Sequence, residues 1–373
     1  MYSEIDLANA VDAGVLTPEQ ADAFRNHIAE GRSSPAVDEE HFRLLTGFND
    51  IFVAIAAGLI LVAVGFIGAY IAGKVIGHSP DDPADIGAMV SAAGFTVAIT
   101  SWLLAEYFTR QRRMALPSIL LLLGFAGGIF TGFGGLLGGN APWYAEKLGI
   151  AFNDEMRLKQ LAGTIAILVG VLTAAGTWIH WRRFMVPITV AVGASALVTV
   201  AVGAIMAFVP GSDDWLNAIL LVAGVLVFVF AMRWDMSDLQ RRTRRSDVAF
   251  WLHLAAAPLI AHPIFHMLGV FDGNISAAMA AVVLALYVAF ACVALAVDRR
   301  ALLVSSLVYV LFAMYALFEK TGLVELSAAL TGLVIGSALL MLSAFWQPMR
   351  RRVVSVLGGL GESLPPTQQI VHA

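Results

Sequence analysis

Ten apolar runs, each close to the length of a bilayer crossing, constrain this chain more than any other feature. They cover roughly 51–72, 86–108, 116–139, 161–181, 186–209, 215–232, 248–269, 275–297, 301–318 and 325–346. About 20 apolar residues in a helix span ~30 Å of hydrocarbon. Backbone groups in lipid must bond within their own segment, so runs this long are helices, and the short alternation of a membrane barrel strand is absent. Only 13% of the residues are charged, against about 25% in ordinary globular proteins, and mean hydropathy is +0.80. Packing as a soluble protein is excluded. The expected class is all-α and polytopic, a bundle of about ten transmembrane helices with a small cytoplasmic helical hairpin at the N-terminus.

Charge placement orients the bundle. Of 23 Lys and Arg, five (Lys74, Lys147, Arg157, Lys159 and Lys320) fall in one set of alternate connections, leaving eighteen for the other set and the termini. The positive-inside rule then places both termini in the cytoplasm, and one missed helix would scramble every later connection. Paired arginines recur at Arg112-Arg113, Arg182-Arg183, Arg299-Arg300 and Arg350-Arg351-Arg352. They read as anchors at tight turns, although a helical-hairpin repeat would give the same pattern. Three divisions follow: 1–50, a cytoplasmic hairpin and juxtamembrane segment; 51–346, the helix bundle; and 347–373, a cytoplasmic tail.

Within the first division, Ser3 to Ala13 reads as a short helix stopped by Gly14, whose missing Cβ permits a left-handed turn. Thr17-Pro18-Glu19-Gln20 then carries a capping residue, a proline at the first helical position and a capping-box partner, and Gly31 is expected to close that second helix. Asp38 to Asp50 runs amphipathically toward the membrane. No basic start or cleavage site marks the opening as a signal peptide.

The opening EIDLANAVDAGVLTPEQADAF, the join VDEEHFRLLTGFNDIFVAIA and the later DRRALLVSSLVYVLFAMY together resemble an uncharacterised family of bacterial predicted membrane proteins with a short cytoplasmic N-terminal helical region. The resemblance covers about a quarter of the chain. It implies a multi-pass protein of the bacterial inner membrane and brings no catalytic or binding residue with it.

Two helices carry the candidate functional residues. The seventh holds His253, His262 and His266, with Pro258 and Pro263 between them and Asp272 beyond its end. At 100° per residue His262 and His266 lie about 40° apart on one face, while His253 is about 180° from His262, so this helix alone offers no three-histidine site. The pair could serve a divalent metal or a proton relay, with Asp272, Glu319 or Glu325 as a third group, or could sit as ordinary neutral imidazoles near the interface. The third helix reads GFAGGIFTGFGGLLGG. Gly124, Gly128 and Gly132 at four-residue spacing, continued by Gly135 and Gly139, suit close helix packing; a broken helix lining a solute path is the alternative. Glu106 is placed to pair with the arginines at 110–113. His180 with Trp181, Trp143-Tyr144 and Trp346 read as interfacial anchors. Cys292, the one cysteine, reads as a small core side chain.

No Ser/His/Asp or paired-carboxylate set can be assembled at one depth, so no enzyme and no cofactor are expected. A formal charge of −4 carries no basic excess for nucleic acid. The expected partners are the lipid bilayer and a cytoplasmic protein docking on residues 1–36. The functional reading is a small-solute permease or channel, with a non-transporting membrane scaffold or sensor as the alternative.

Overall fold

The computed structural model describes residues 4–32, 48–77, 82–239, 241, 243–270, 276–320, 327–359 and 364. Among them every regular element is helical: α1 (Glu4–Asp12), α2 (Pro18–Arg32), α3 (Phe48–Ile76), α4 (Pro83–Ala105), α5 (Ala115–Gly139), α6 (Ala141–Lys147), α7 (Glu155–Phe184), α8 (Ile188–Phe208), α9 (Leu216–Met236), α10 (Arg244–Met267), α11 (Ala277–Val297), α12 (Ala301–Lys320), α13 (Ser327–Ala344) and α14 (Trp346–Leu357). A π-helical turn, Glu106–Gln111, extends α4, and a 3₁₀ turn, Ser212–Trp215, precedes α9.

Each expected apolar run falls on a helix. Eight helices are long and apolar enough to cross a membrane, and α13 with α14 adds a ninth only if they are counted together across a 75° bend. The described apolar part of α12, Leu303–Tyr315, is shorter than a crossing. The chain is therefore an all-α bundle of at least eight span-length helices among the described residues.

Polar caps start these helices as their sequences require. Asp82 accepts from the Ala84 amide, Asp154 from Arg157, Thr243 from Arg245 and Ser276 from Met279. In the N-terminal hairpin, Thr17 and Gln20 exchange both capping-box bonds, at 2.9 and 3.2 Å. The helix start also holds the Glu19 carboxyl below its usual range, through its own backbone N–H first and the Thr17 hydroxyl second. Gly14 is left-handed, at φ +71°. Gly31, expected to close α2, instead lies within it, because Arg32 is still helical.

The two ends of the bundle reverse direction by different means. One end carries the connections α4–α5, α7–α8, α9–α10 and α11–α12. Each of them has a non-glycine residue in the left-handed region: Arg113 (φ +52°), Met185 (φ +56°), Arg241 (φ +52°) and Asp298 (φ +60°). At the opposite end Gly77, Gly149, Gly211 and Gly269 do the same work without a Cβ. A left-handed L-residue costs roughly 1–2 kcal/mol, so the surroundings at the first end must hold those residues in place.

Packing centres on α10. Half of its span is buried, against 17% for α8 and α9. Val248, Leu252 and Ala256 meet Ala191 of α8 and Val227 and Ala231 of α9, while Ala261 and Phe265 enter a cluster with Val283, Phe290 and Val310 of α11 and α12. The lipid-type exterior is equally plain, with Leu59, Phe66, Val222 and Leu226 all exposed.

Candidate functional site

Six ionisable side chains are buried together where α9, α10, α11, α12 and α14 meet. Asp235, in the last turn of α9, receives Arg299 Nη2 on Oδ1 at 2.5 Å and Arg299 Nε on Oδ2 at 3.2 Å. His253 Nε2 adds a third bond to Oδ2 at 2.9 Å. A carboxylate only accepts, so Nε2 carries the donated proton. Arg299 also donates to the carbonyl and hydroxyl of Ser246, each at 3.2 Å, which ties the α11–α12 junction to the start of α10.

The neighbouring Asp298 performs the reciprocal task. Its Oδ2 accepts from Arg241 Nη1 at 2.9 Å, its Oδ1 accepts from Trp346 Nε1 at 2.7 Å, and Arg350 Nε lies 3.5 Å from the same Oδ1. Arg241 Nη2 reaches the Val297 carbonyl at 3.1 Å, and the Arg300 guanidinium stacks 4.7 Å from the Trp346 ring centre. Asp235, Asp298, His253 and Arg299 are at most 3% exposed, and Arg350 is fully buried. Each hairpin thus supplies an acid that the other hairpin's arginine satisfies. This clasp also explains the two left-handed residues it contains, Arg241 and Asp298, since their side chains have several fixed partners. Removing ions from water costs several kcal/mol apiece, and close, multiply bonded pairs such as the bidentate Arg299–Asp235 contact offset that cost. His253 Nδ1 is buried with no hydrogen-bond partner, and its ring centre lies 5.0 Å from that of Phe228.

A smaller polar junction sits at the same end. Arg183 at the close of α7 holds Glu106 by two bonds, 2.7 and 2.9 Å, and Arg110 adds a third at 3.3 Å. The π-helical turn begins at Glu106. One turn inward, His180 is fully buried against Trp102, Phe125 and Phe184, with Thr189 Oγ1 3.4 Å from its Nδ1. His180 is therefore an interior residue and not the interfacial anchor its place at a run's end suggested: α7 continues to Phe184, so the ring faces α4 and α5. Trp346 is likewise 4% exposed, a clasp member in place of an anchor. Cys292 departs the other way, lying exposed on α11.

His262 and His266 stand side by side near the opposite end of α10, ring centres 6.0 Å apart. His262 Nδ1 is 3.0 Å from the Tyr309 hydroxyl and His266 Nδ1 is 3.1 Å from Asn217 Nδ2. Both rings are exposed on the protein surface. Asp272 and Glu325 lie outside the described residues, as does the side chain of Glu319, and among the described residues no three His, Cys, Asp or Glu are grouped for a metal. His253, on the far face, belongs to the clasp.

The glycines lie between α4 and α5. A Cβ on Gly128 would come 2.6 Å from the Gly94 oxygen and 2.7 Å from the Ala98 nitrogen; one on Gly124 would meet Ser101 Oγ at 2.5 Å, and one on Gly132 the Phe95 ring at 2.7 Å. The partner stripe on α4, Gly87, Ser91, Gly94, Ala98, Ser101 and Ala105, is buried along its length at alternating four- and three-residue spacing. α5 is one unbroken helix. The best-formed depressions near it are apolar surface grooves, one lined by Ile86, Val90, Phe130 and Thr131.

Sequence reasoning took the arginines of these turns for anchors and overlooked the clasp. The usable signal was an acid beside each arginine turn, Trp234-Asp235 and Asp298-Arg299, together with Trp346 and Arg350 one helical turn apart. No protein-family model, no curated protein and no solved structure matches this chain.

Proposed function

We propose that this protein is a multi-pass membrane scaffold or sensor that presents its N-terminal hairpin to a cytoplasmic protein, in a bacterial inner membrane with both termini inside. The observation that carries this is the close apolar packing near the α7–α8 turn. Between α5, α8 and α10 the volume is taken by Leu122, Val186 and Ile188, with Ile119, Phe184, Val192 and Trp251 packed on them. The buried ionic groups meanwhile join helix ends to one another at the arginine-rich end. Such an arrangement supports a rigid platform, and α1–α2, with its capping box, is a preformed element outside the apolar bundle. Deleting residues 1–36 is expected to abolish complementation of a deletion strain's phenotype while leaving membrane abundance intact. Full complementation by the truncated chain would reject the scaffold reading.

A small-solute permease is the second reading, favoured by the clasp itself. Ionisable groups buried in membrane helices commonly mark solute or proton paths, and an ion-pair cluster joining two hairpins has the form of a closed gate. On that reading Asp235→Asn changes the small-molecule content of cells as the gene deletion does, and the hairpin truncation does not.

A further inference from the structure

The last described helix has a surface that neither reading uses. α14 leaves α13 at 75°, so if α13 crosses the bilayer, α14 lies across the bundle end, near the plane of the membrane surface. Around its axis the residues sort into three sectors. Trp346 and Arg350 are buried in the clasp, with Val353 and Leu357 partly buried on the same side. Met349 and Val356 form an exposed apolar flank, 42% and 85% accessible. Arg351, Arg352 and Ser355 face outward. At 100° per residue Arg352 falls beside the apolar flank, three residues after Met349 and four before Val356. No carboxylate pairs with Arg351 or Arg352 among the described residues, in contrast to Arg241, Arg299 and Arg350 nearby.

A helix lying in a membrane interface has this construction: one side toward acyl chains, arginines at the phosphate level, and a fixed attachment. We propose that α14 is an interfacial helix that gathers anionic phospholipid at the arginine-rich end. Met349 and Val356 enter the acyl layer, Arg352 and Arg351 hold headgroup phosphates, and Trp346 and Arg350 fasten the helix to the clasp. The charge complementarity selects anionic over zwitterionic headgroups, because a headgroup with a net negative charge answers two arginines that have no counter-ion among the described residues.

The test uses the full chain in nanodiscs of phosphatidylcholine with or without phosphatidylglycerol, in a Cys292→Ala background. An environment-sensitive fluorophore on Val356→Cys is expected to report an apolar surrounding, and the same probe on the adjacent Ser355→Cys a wet one. Phosphatidylglycerol enrichment in the lipid retained on purification is expected to fall about five-fold for each arginine lost in R351Q/R352Q. It should persist in R351K/R352K and in the charge-matched R244Q/R245Q. Equal spectra at 355 and 356 would overturn the interfacial placement, whether or not the glutamine variant folds. An equal loss of lipid in both glutamine double variants would assign the attraction to the whole basic end and remove α14's specific role.

Discussion

Adjacent glycines of α5 should respond oppositely to the same added methyl group. Gly127 has nothing within 4 Å of its Cβ position, whereas the Gly128 Cβ would press on the Gly94 oxygen at 2.6 Å and the Ala98 nitrogen at 2.7 Å. Carbon and carbonyl oxygen settle at about 3.3 Å or more, so α4 and α5 must part by roughly 0.7 Å at that level. Both obstacles are backbone, and no rotamer change relieves them. A gap of 0.5–1 Å forfeits a quarter to a half of the dispersion well of each atom pair it separates, and overpacking of this kind typically costs about 1–3 kcal/mol. Alanine's better helix propensity returns up to about 1 kcal/mol at either site. Net of that return, Gly128→Ala is expected to lose up to about 2 kcal/mol, and Gly127→Ala to change by less than about 0.5 kcal/mol or to gain. Reversible unfolding of the full chain in mixed micelles, followed by tryptophan fluorescence, measures both. The pairs Gly134/Gly135 and Gly138/Gly139 repeat the contrast, since Gly134 and Gly138 are open while Gly135 and Gly139 meet Gly87 at 2.6 and 2.5 Å. Equal losses within each pair would show that α4 and α5 do not touch through this stripe.

Asp298→Ala should destabilise by about 3–5 kcal/mol in the same assay, because it strands buried Arg241 and Arg350, while Arg300→Gln should cost under about 1 kcal/mol. Thr17→Ala should weaken α2 by about 1 kcal/mol, read as faster amide exchange in residues 19–22. Glu19, its pKa lowered by folding, stabilises the start of α2 above the usual glutamate range near pH 4. That contribution is lost as pH falls through the lowered value, so the same amides should lose protection on acidification. A fluorescent protein fused at Ala373 should glow and alkaline phosphatase inserted after Ser212 should be active; a dark C-terminal fusion would contradict the inferred orientation.

Helix positions were legible because an apolar run of bilayer-crossing length has one backbone solution in lipid, a helix that bonds within itself. That rule locates α3 to α5 and α7 to α13, passes over the short α6, and is silent on where a helix stops once its residues turn polar. It therefore ended the sixth run at 232, short of Asp235, although α9 continues to Met236 and carries that acid inside. The tail after 346 looked unattached for the same reason. Gly128 was visible from its own spacing, yet its partner stripe on α4 mixes Gly, Ser and Ala over nineteen residues, Gly87 to Ala105, and imitates ordinary apolar sequence. Apart from His253 and Asp235, 18 residues apart, the clasp depends on pairs 48 to 64 residues apart, and no local period records such a distance.

The shared clasp also bears on synthesis. A ribosome delivers Asp235 and Arg241 with one hairpin, Asp298 and Arg299 with the next, and Trp346 and Arg350 only with α14. Each arriving hairpin holds an acid and a base that it cannot bury by itself, so both must wait at the headgroup level until their counterparts emerge. Final desolvation of Asp298 needs α14, which makes its burial a chemical record that α14 has been made and has docked. A nascent protein interrupted after α12 keeps Asp298 without its α14 partners, and that end stays charged and hydrated.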